Sequence, residues 1–111
     1  MPDSTIDMNT FSELQEAAGA GFVAELVGTF LEEAPAMLAE LRATQAGQSA
    51  DAFRRAAHSL KSNSQTFGAT RLGEMARSLE LGGLTSDAAP INVLDAEYQR
   101  VAAALKGLTH G

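Results

Sequence analysis

Apolar residues recur along this chain at the spacing of α-helices, in runs separated by glycine and proline. The clearest run lies near the carboxyl end, where intervals of 3, 4, 3, 4 and 3 residues separate Ile91, Leu94, Tyr98, Val101, Leu105 and Leu108. Such a stripe lies along one side of a helix and is typical of helices that pack in bundles. Because no segment shows the two-residue alternation of a β-strand, the chain is predicted to be all-α.

Start and stop signals divide the chain into five helical segments. The predicted helices span 8–18, 20–46, Ser49 to about Gly68, 69–81, and Pro90 to the carboxyl end. Asp7 and Ser49 are the predicted N-caps, and Pro90 lies where a helix needs no backbone N–H. The short break at Gly68 predicts an antiparallel hairpin. We therefore expect an antiparallel four-helix bundle with a short additional N-terminal helix lying across it.

The 111 residues suffice for one modest core, so we interpret residues 1–111 as a single domain with a loose tail at 1–6. In the second helix, Pro35 removes a backbone hydrogen bond and predicts a kink or a local break. Three apolar residues lie beside the main apolar row of that helix: Val23, Val27 and Leu31. We interpret them as a wide core face, the alternative being an apolar docking surface.

Composition excludes several classes of function. A net charge of −6 argues against nucleic-acid binding, and the absence of cysteine excludes disulfides, thiol catalysis and cysteine-based metal sites. No apolar run approaches the ~20 residues that span a bilayer. Residues 1–5 lack the basic and apolar regions of a signal peptide. The cytoplasm is therefore the expected compartment, and the Met1 start favours a free-standing protein.

The third predicted helix presents an exposed histidine. Its buried stripe is formed by Phe53, Ala57, Leu60, Ser64 and Phe67. His58 lies about 200° around the helix from Leu60, so its imidazole is expected to face solvent. Lys61 and Ser62 lie one turn further along the same side as the histidine.

An exposed imidazole beside a lysine and a small residue suits phosphate chemistry. Neutral imidazole is a nucleophile near pH 7, and a lysine ammonium is a mobile donor and counter-charge for phosphate oxygens. The small side chain of Ser62 allows a partner to approach closely. The alternative, judged from spacing alone, is an ordinary solvated helix face.

Charge is unevenly distributed along the chain. Residues 1–41 contain eight Asp or Glu and no Lys or Arg, whereas residues 54–77 contain five basic residues and one acidic residue. Arg54 and Arg55 lie one turn before His58, so they form a candidate docking patch for an acidic partner. The alternative is that the basic residues of the following helix only face solvent.

The segment His58-Ser59-Leu60-Lys61-Ser62-Asn63-Ser64 resembles the signature of histidine-containing phosphotransfer (Hpt) domains, the carriers of bacterial multistep phosphorelays. The family pattern is His-x-Leu-Lys-Gly followed by small residues, and a common variant has serines after the lysine and a Gly-Ala pair further along. Other segments that fit are Gly68-Ala69, Phe30 to Pro35, and Glu97-Tyr98. The chain departs from the short motif at Ser62, where the pattern has glycine.

This resemblance implies that His58 is the phosphorylated residue and that Lys61 and Gln65 flank the phosphate. It implies a carrier without its own nucleotide site, and so not an enzyme. The carrier would exchange a phosphoryl group with receiver-domain aspartates of response regulators or of a hybrid histidine kinase. Magnesium would come from the receiver, and the carrier would hold no cofactor. We expect a monomer that binds neither nucleic acid nor membrane.

Other chemistries lack the residues they need. The sequence contains no Gly-rich phosphate loop and no Asp/Asn pair placed to hold magnesium. His110 has no partner in the sequence pattern, so neither a metal site nor any other role is assigned to it. The sequence indicates no carboxylate beside His58. This excludes a hydrolytic triad and agrees with a carrier that does not hydrolyse its own cargo.

Alternative functions remain open at this point. The favoured one is phosphotransfer in a His–Asp relay, and the alternative is a non-phosphorylated Hpt-like interaction module that binds and regulates a histidine kinase or response regulator. The interaction module predicts that His58→Gln preserves the biological activity, whereas changes at Arg54 and Ser62 destroy it. A third alternative is a helical oligomerisation domain, in which a tight dimer would bury His58.

Overall fold

The computed structural model describes residues 5–84 and 87–109. The helices are α1 (Met8–Ala18), α2 (Ala20–Ala46), α3 (Ala50–Thr66), α4 (Thr70–Gly82) and α5 (Ala89–Thr109). No strand occurs within the described ranges, so the all-α prediction is confirmed, and the predicted boundaries agree to about two residues. None of these helices combines the length and the hydrophobicity that crossing a membrane requires.

Four of the helices form a ring around the core. The third helix, α3, packs against α2 and α4, and α5 closes the ring by packing against the same two helices. The short helix α1 lies against α2 and α3. The largest fully buried apolar side chains are Phe11, Phe30, Leu41, Phe53, Leu60, Leu72, Ile91, Leu94 and Leu105. The predicted four-helix bundle with an additional N-terminal helix is confirmed.

The apolar residues beside the main row of α2 extend the core. Val23 and Val27 are fully buried, and Leu31 is partly buried against the core. Burial of these side chains removes apolar surface from water, which stabilises the fold. The interpretation as a wide core face is therefore confirmed for the two valines.

The N-terminal segment is anchored where the structure describes it. Thr5 and Ile6 are buried, and the backbone N–H of Asp7 donates to the carbonyl of Gly68 at 2.7 Å. The predicted loose tail at 1–6 is therefore wrong for these two residues, because Ile6 belongs to the hydrophobic core. The residues before them lie outside the described ranges.

The two predicted N-caps differ in what their side chains do. The Asp7 carboxylate accepts hydrogen bonds from the backbone N–H groups of Asn9 and Thr10, at 3.0 and 3.5 Å. Ser49 occupies the N-cap position of α3, but its side chain makes no capping hydrogen bond, so a capping role for its hydroxyl is wrong. Asp51 lies in the first turn of α3, where the helix dipole favours its negative charge.

Pro35 lies inside α2, yet the helix continues without a break. Because proline has no N–H, the Leu31 carbonyl one turn earlier loses its helical donor. Tyr98 of α5 compensates in part, since its hydroxyl donates to this carbonyl across a long 3.5 Å contact. Burial, with a smaller effect of Asp95, raises the pKa of Tyr98, so the phenol keeps its proton. The predicted local break is therefore absent.

We expect Gly68→Ala to destabilise the fold by about 1–3 kcal/mol. Gly68 has φ +79°, a backbone conformation that residues with a Cβ rarely adopt. A Cβ built there would also lie 2.7 Å from the Asp7 carbonyl oxygen, so the N-terminal segment would have to move away. Thermal and chemical unfolding measure this loss.

Gly28→Ala is the matched control. Gly28 lies inside α2 with open space where a Cβ would be, so alanine should stabilise the helix by about 0.5–1 kcal/mol. Equal effects of the two substitutions would contradict a special backbone requirement at Gly68.

Candidate functional site

The histidine of the third helix faces outward, as its position in the stripe predicts. Ala57 and Leu60, on the opposite side of the same helix, are fully buried in the core. The side chain of His58 is 58% exposed, so a partner molecule can reach the imidazole from solvent.

Glu80 of α4 brings the histidine and the lysine together. Its Oε2 lies 2.7 Å from His58 Nδ1, and its Oε1 lies 2.8 Å from Lys61 Nζ. One carboxylate therefore bridges both predicted site residues of α3. The expectation that no carboxylate lies beside His58 is wrong, because the α3–α4 hairpin carries Glu80 across to the same face.

The ionisation of Glu80 determines which imidazole nitrogen is free. The contact with Lys61, followed by the hydrogen bond with His58, lowers the pKa of the Glu80 carboxyl below its ordinary value. An ionised carboxylate only accepts hydrogen bonds, so His58 Nδ1 must carry the proton and donate it. The Nε2 lone pair of neutral His58 is then free to attack an electrophile.

The Glu80 carboxylate and the Lys61 ammonium are partly shielded from water. The side chains of Glu80 and Lys61 are 22% and 20% exposed, much less than that of His58. Oε1 of Glu80 is itself buried and accepts no well-directed hydrogen bond, so its contact with Lys61 is an ion pair. Partial burial weakens solvent screening and holds the ammonium close to the carboxylate.

A comparison with family models identifies the family of the chain. The model of the Hpt domain family matches residues 25–104, which is most of the chain. The chain belongs to the Hpt domain family. The match includes α3, α4 and the whole His58–Lys61–Glu80 cluster. Searches of curated proteins and of solved structures gave no match. Hpt domains are phosphoryl carriers that act by histidine phosphotransfer in phosphorelays.

Two further predicted residues lie on the exposed side of α3 in this Hpt domain. Ser62 is exposed one turn after His58, which leaves the space beside the imidazole open. Gln65 is also exposed, and its side chain lies close to Gly73, where an added Cβ would be 3.2 Å from Gln65 Cγ. Within the described ranges, no hydrogen bond joins the Gln65 amide to His58 or Lys61. Its place beside a phosphate stays a prediction.

The predicted docking patch lies next to the histidine. Arg54 and Arg55 line an open depression together with His58 and Glu80. The charge of Arg54 is partly offset, because its guanidinium donates to Asp51 at 2.6 Å. Arg55 has no ion-pair partner among the described residues, so it is the more available cation for an acidic partner.

Glu80 could have been found from the sequence by counting outward from the hairpin. His58 and Glu80 lie eleven residues on either side of Ala69, and Gln65 and Gly73 lie four residues on either side of it. In an antiparallel helix pair, residues equally distant from the turn lie at similar heights. The predicted boundary near Gly68 therefore implies that Glu80 of α4 lies at the height of His58.

No group of three or more potential metal ligands occurs within the described ranges. His110, to which no role was assigned, lies outside the described residues.

Glu80 should make stability depend on pH in a defined direction. Because its pKa is lower in the fold than the ordinary value of 4.5, ionised Glu80 stabilises the fold above that pH. This contribution is lost as the pH falls below 4.5 and through the lowered pKa of the folded state. The stability difference between the wild type and Glu80→Gln should therefore shrink as the pH falls below 4.5. Chemical denaturation across this range measures it, and a constant difference would contradict the assignment.

Proposed function

We propose that this Hpt domain accepts a phosphoryl group from a receiver-domain aspartate on His58 Nε2 and passes it to the aspartate of another receiver. The observation that carries the proposal is the exposed ring whose Nδ1 bonds to Glu80. That hydrogen bond orients the imidazole and leaves Nε2 as the outward nucleophile. The receivers belong to response regulators or to a hybrid histidine kinase.

The transfer step follows from the site geometry. The docked receiver brings its phospho-aspartate and its own magnesium ion over α3, and Nε2 attacks phosphorus in line with the breaking bond to the aspartate oxygen. Lys61 has three N–H donors, and its ammonium forms an ion pair with Glu80. These donors are available to the equatorial phosphoryl oxygens, whose negative charge they stabilise during transfer.

Docking uses the surface around the ring. Ser62 is small enough to let the receiver approach, while Arg54 and Arg55 attract the acidic mouth of its active site. Because the electrophile and the metal come with the receiver, the carrier needs to supply only a nucleophile, a cation and a surface. The transfer is reversible, since the acyl phosphate and the phosphoramidate are both high-energy bonds.

The proposal is tested by incubating the protein with a panel of phosphorylated receiver domains. At least one receiver should transfer its phosphoryl group and yield an acid-labile, alkali-stable phosphate. Peptide mapping at alkaline pH should place it on the α3 segment that contains His58. Phosphate on any other residue would overturn the proposal, and so would tight binding of receivers without any transfer. The second result would support the interaction module.

A further inference from the structure

We propose that Glu80 keeps the proton on Nδ1 of His58 after Nε2 has been phosphorylated, so that the ring remains a good phosphoryl donor. This inference rests on the proposed function of His58. It assigns Glu80 as a positioning residue for the second half of the relay, when the phosphoryl group leaves the carrier.

This inference is supported by the two contacts of the Glu80 carboxylate, one from each oxygen. Oε2 lies 2.7 Å from Nδ1 and Oε1 lies 2.8 Å from Lys61 Nζ, so the Lys61 contact holds the carboxylate in the orientation that His58 needs. Nδ1 is on the inner side of the ring, toward α4, and phosphorylation at the outward Nε2 leaves this hydrogen bond intact. The same contact can therefore persist in both states of the carrier.

The electron balance shows why the proton matters. As the Nε2–P bond forms, the aspartate O–P bond breaks and its electron pair stays on the receiver carboxylate. The imidazole becomes an imidazolium that still carries its Nδ1 proton, and the charge of Glu80 compensates the new positive charge. On return, an aspartate oxygen of the accepting receiver forms a new O–P bond as the Nε2–P bond breaks. The electrons of the broken bond stay on Nε2, and neutral imidazole leaves with no proton exchanged.

Loss of that proton would change the leaving group. A phosphorylated ring that gives its Nδ1 proton to solvent becomes neutral, and breaking its Nε2–P bond would have to expel an imidazolate anion. Imidazolate is a far poorer leaving group than neutral imidazole. A carboxylate at hydrogen-bond distance from Nδ1 therefore keeps the phosphoryl group transferable at higher pH. At the same pH, a ring without this hydrogen bond would lose its Nδ1 proton and retain the phosphoryl group.

The other charged groups at the ring do not replace Glu80. On α3, Arg54 and Arg55 line the same depression, and their positive charges oppose a proton on the ring. Asp51 lines it as well, but its carboxylate pairs with Arg54 at 2.6 Å. Lys61 is positive and pairs with Glu80. Among the described residues, Glu80 is thus the anion that bonds directly to the imidazole.

The test loads the phosphoryl group chemically, so that loading needs no receiver. Wild type, Glu80→Gln and Glu80→Asp are treated with potassium phosphoramidate, with Glu74→Gln as the matched control. Glu74 is an exposed carboxylate on the same helix, so its loss changes net charge equally. Nitrogen NMR of the labelled ring follows the Nδ1 proton from about pH 6 to pH 9, and onward transfer to one receiver is timed at each pH.

We expect the Nδ1 proton of phosphorylated Glu80→Gln to be lost at least about one pH unit earlier than in the wild type, since an opposite charge at this distance shifts a titration by about 1–3 units. Onward transfer at the upper end of the range should then fall about tenfold. Glu74→Gln should behave as the wild type, and Glu80→Asp should lie between wild type and Glu80→Gln.

The outcomes separate the two proposals. If wild type phosphorylated on His58 transfers its phosphoryl group to no receiver, the proposed function itself is overturned. Phosphate on His58, with the same Nδ1 titration in the wild type and Glu80→Gln, overturns only the role of Glu80. An equal shift in Glu74→Gln also overturns it, because the effect would then come from net charge. If Glu80→Gln does not fold, Glu80→Asp gives the same comparison.

Discussion

Replacing His58 with glutamine is expected to reduce phosphoryl uptake from every receiver to background. The substitution removes the only proposed nucleophile, and an amide nitrogen has no lone pair available for attack on phosphorus. Because the side chain is 58% exposed, the free energy of unfolding should change by no more than about 1 kcal/mol. Uptake is measured with a labelled phosphorylated receiver, and the fold by circular dichroism and thermal unfolding.

The matched control is His110→Gln, since the sequence has two histidines in all. This variant should take up phosphate at the wild-type rate. Acid-labile, alkali-stable phosphate on His58→Gln would show that the phosphoryl group resides elsewhere. If His58→Gln instead retains the biological activity while Arg54 or Ser62 variants lose it, the chain is an interaction module and not a carrier.

Local patterns predicted the fold because each helix carries its own start, stripe and stop. Phe53, Ala57 and Leu60 recur on one side of α3, and glycines separate it from its neighbours. In a bundle these local signals agree with the global packing, since every stripe must face the same core. The outward position of His58 follows from the same geometry and is confirmed.

Local sequence patterns did not predict the contacts between segments that are distant along the chain. Ile6 belongs to the core, and the neighbouring Asp7 N–H donates to the Gly68 carbonyl. Nothing in the local sequence around residue 6 indicates this pairing. The Leu31 carbonyl that Pro35 leaves without a helical donor likewise has its contact from another helix, through the Tyr98 hydroxyl. In both cases the partner comes from a distant part of the chain.

The sequence predicted only the part of the candidate site that lies on α3. Exposed residues of α3 share a face by helical geometry alone, which placed Lys61 and Ser62 beside His58. Glu80 belongs to another helix, so its contact depends on the hairpin register and on the crossing of α3 and α4. A surface glutamate in an amphipathic helix looks like any solvated residue until that register is known.

Replacing Lys61 with alanine is expected to slow phosphoryl transfer by about 10²–10³-fold while His58 remains able to react. The ammonium would no longer offset the charge that develops on the equatorial oxygens during transfer. Single-turnover rates with one phosphorylated receiver measure the loss. Lys106→Ala is the matched control, because Lys106 is an exposed lysine on α5 and its removal should leave the rate unchanged.

Lys61 also pairs with Glu80, so a slow Lys61→Ala variant has two possible causes. In that variant the pKa of Glu80 should rise toward its ordinary value, because the largest contribution to its lowering is gone. The double variant Lys61→Ala/Glu80→Gln distinguishes direct contact with phosphate from an effect through Glu80. If Lys61 contacts the phosphate, the double variant is much slower than Glu80→Gln alone. Equal rates would mean that the lysine serves only to hold the carboxylate against His58.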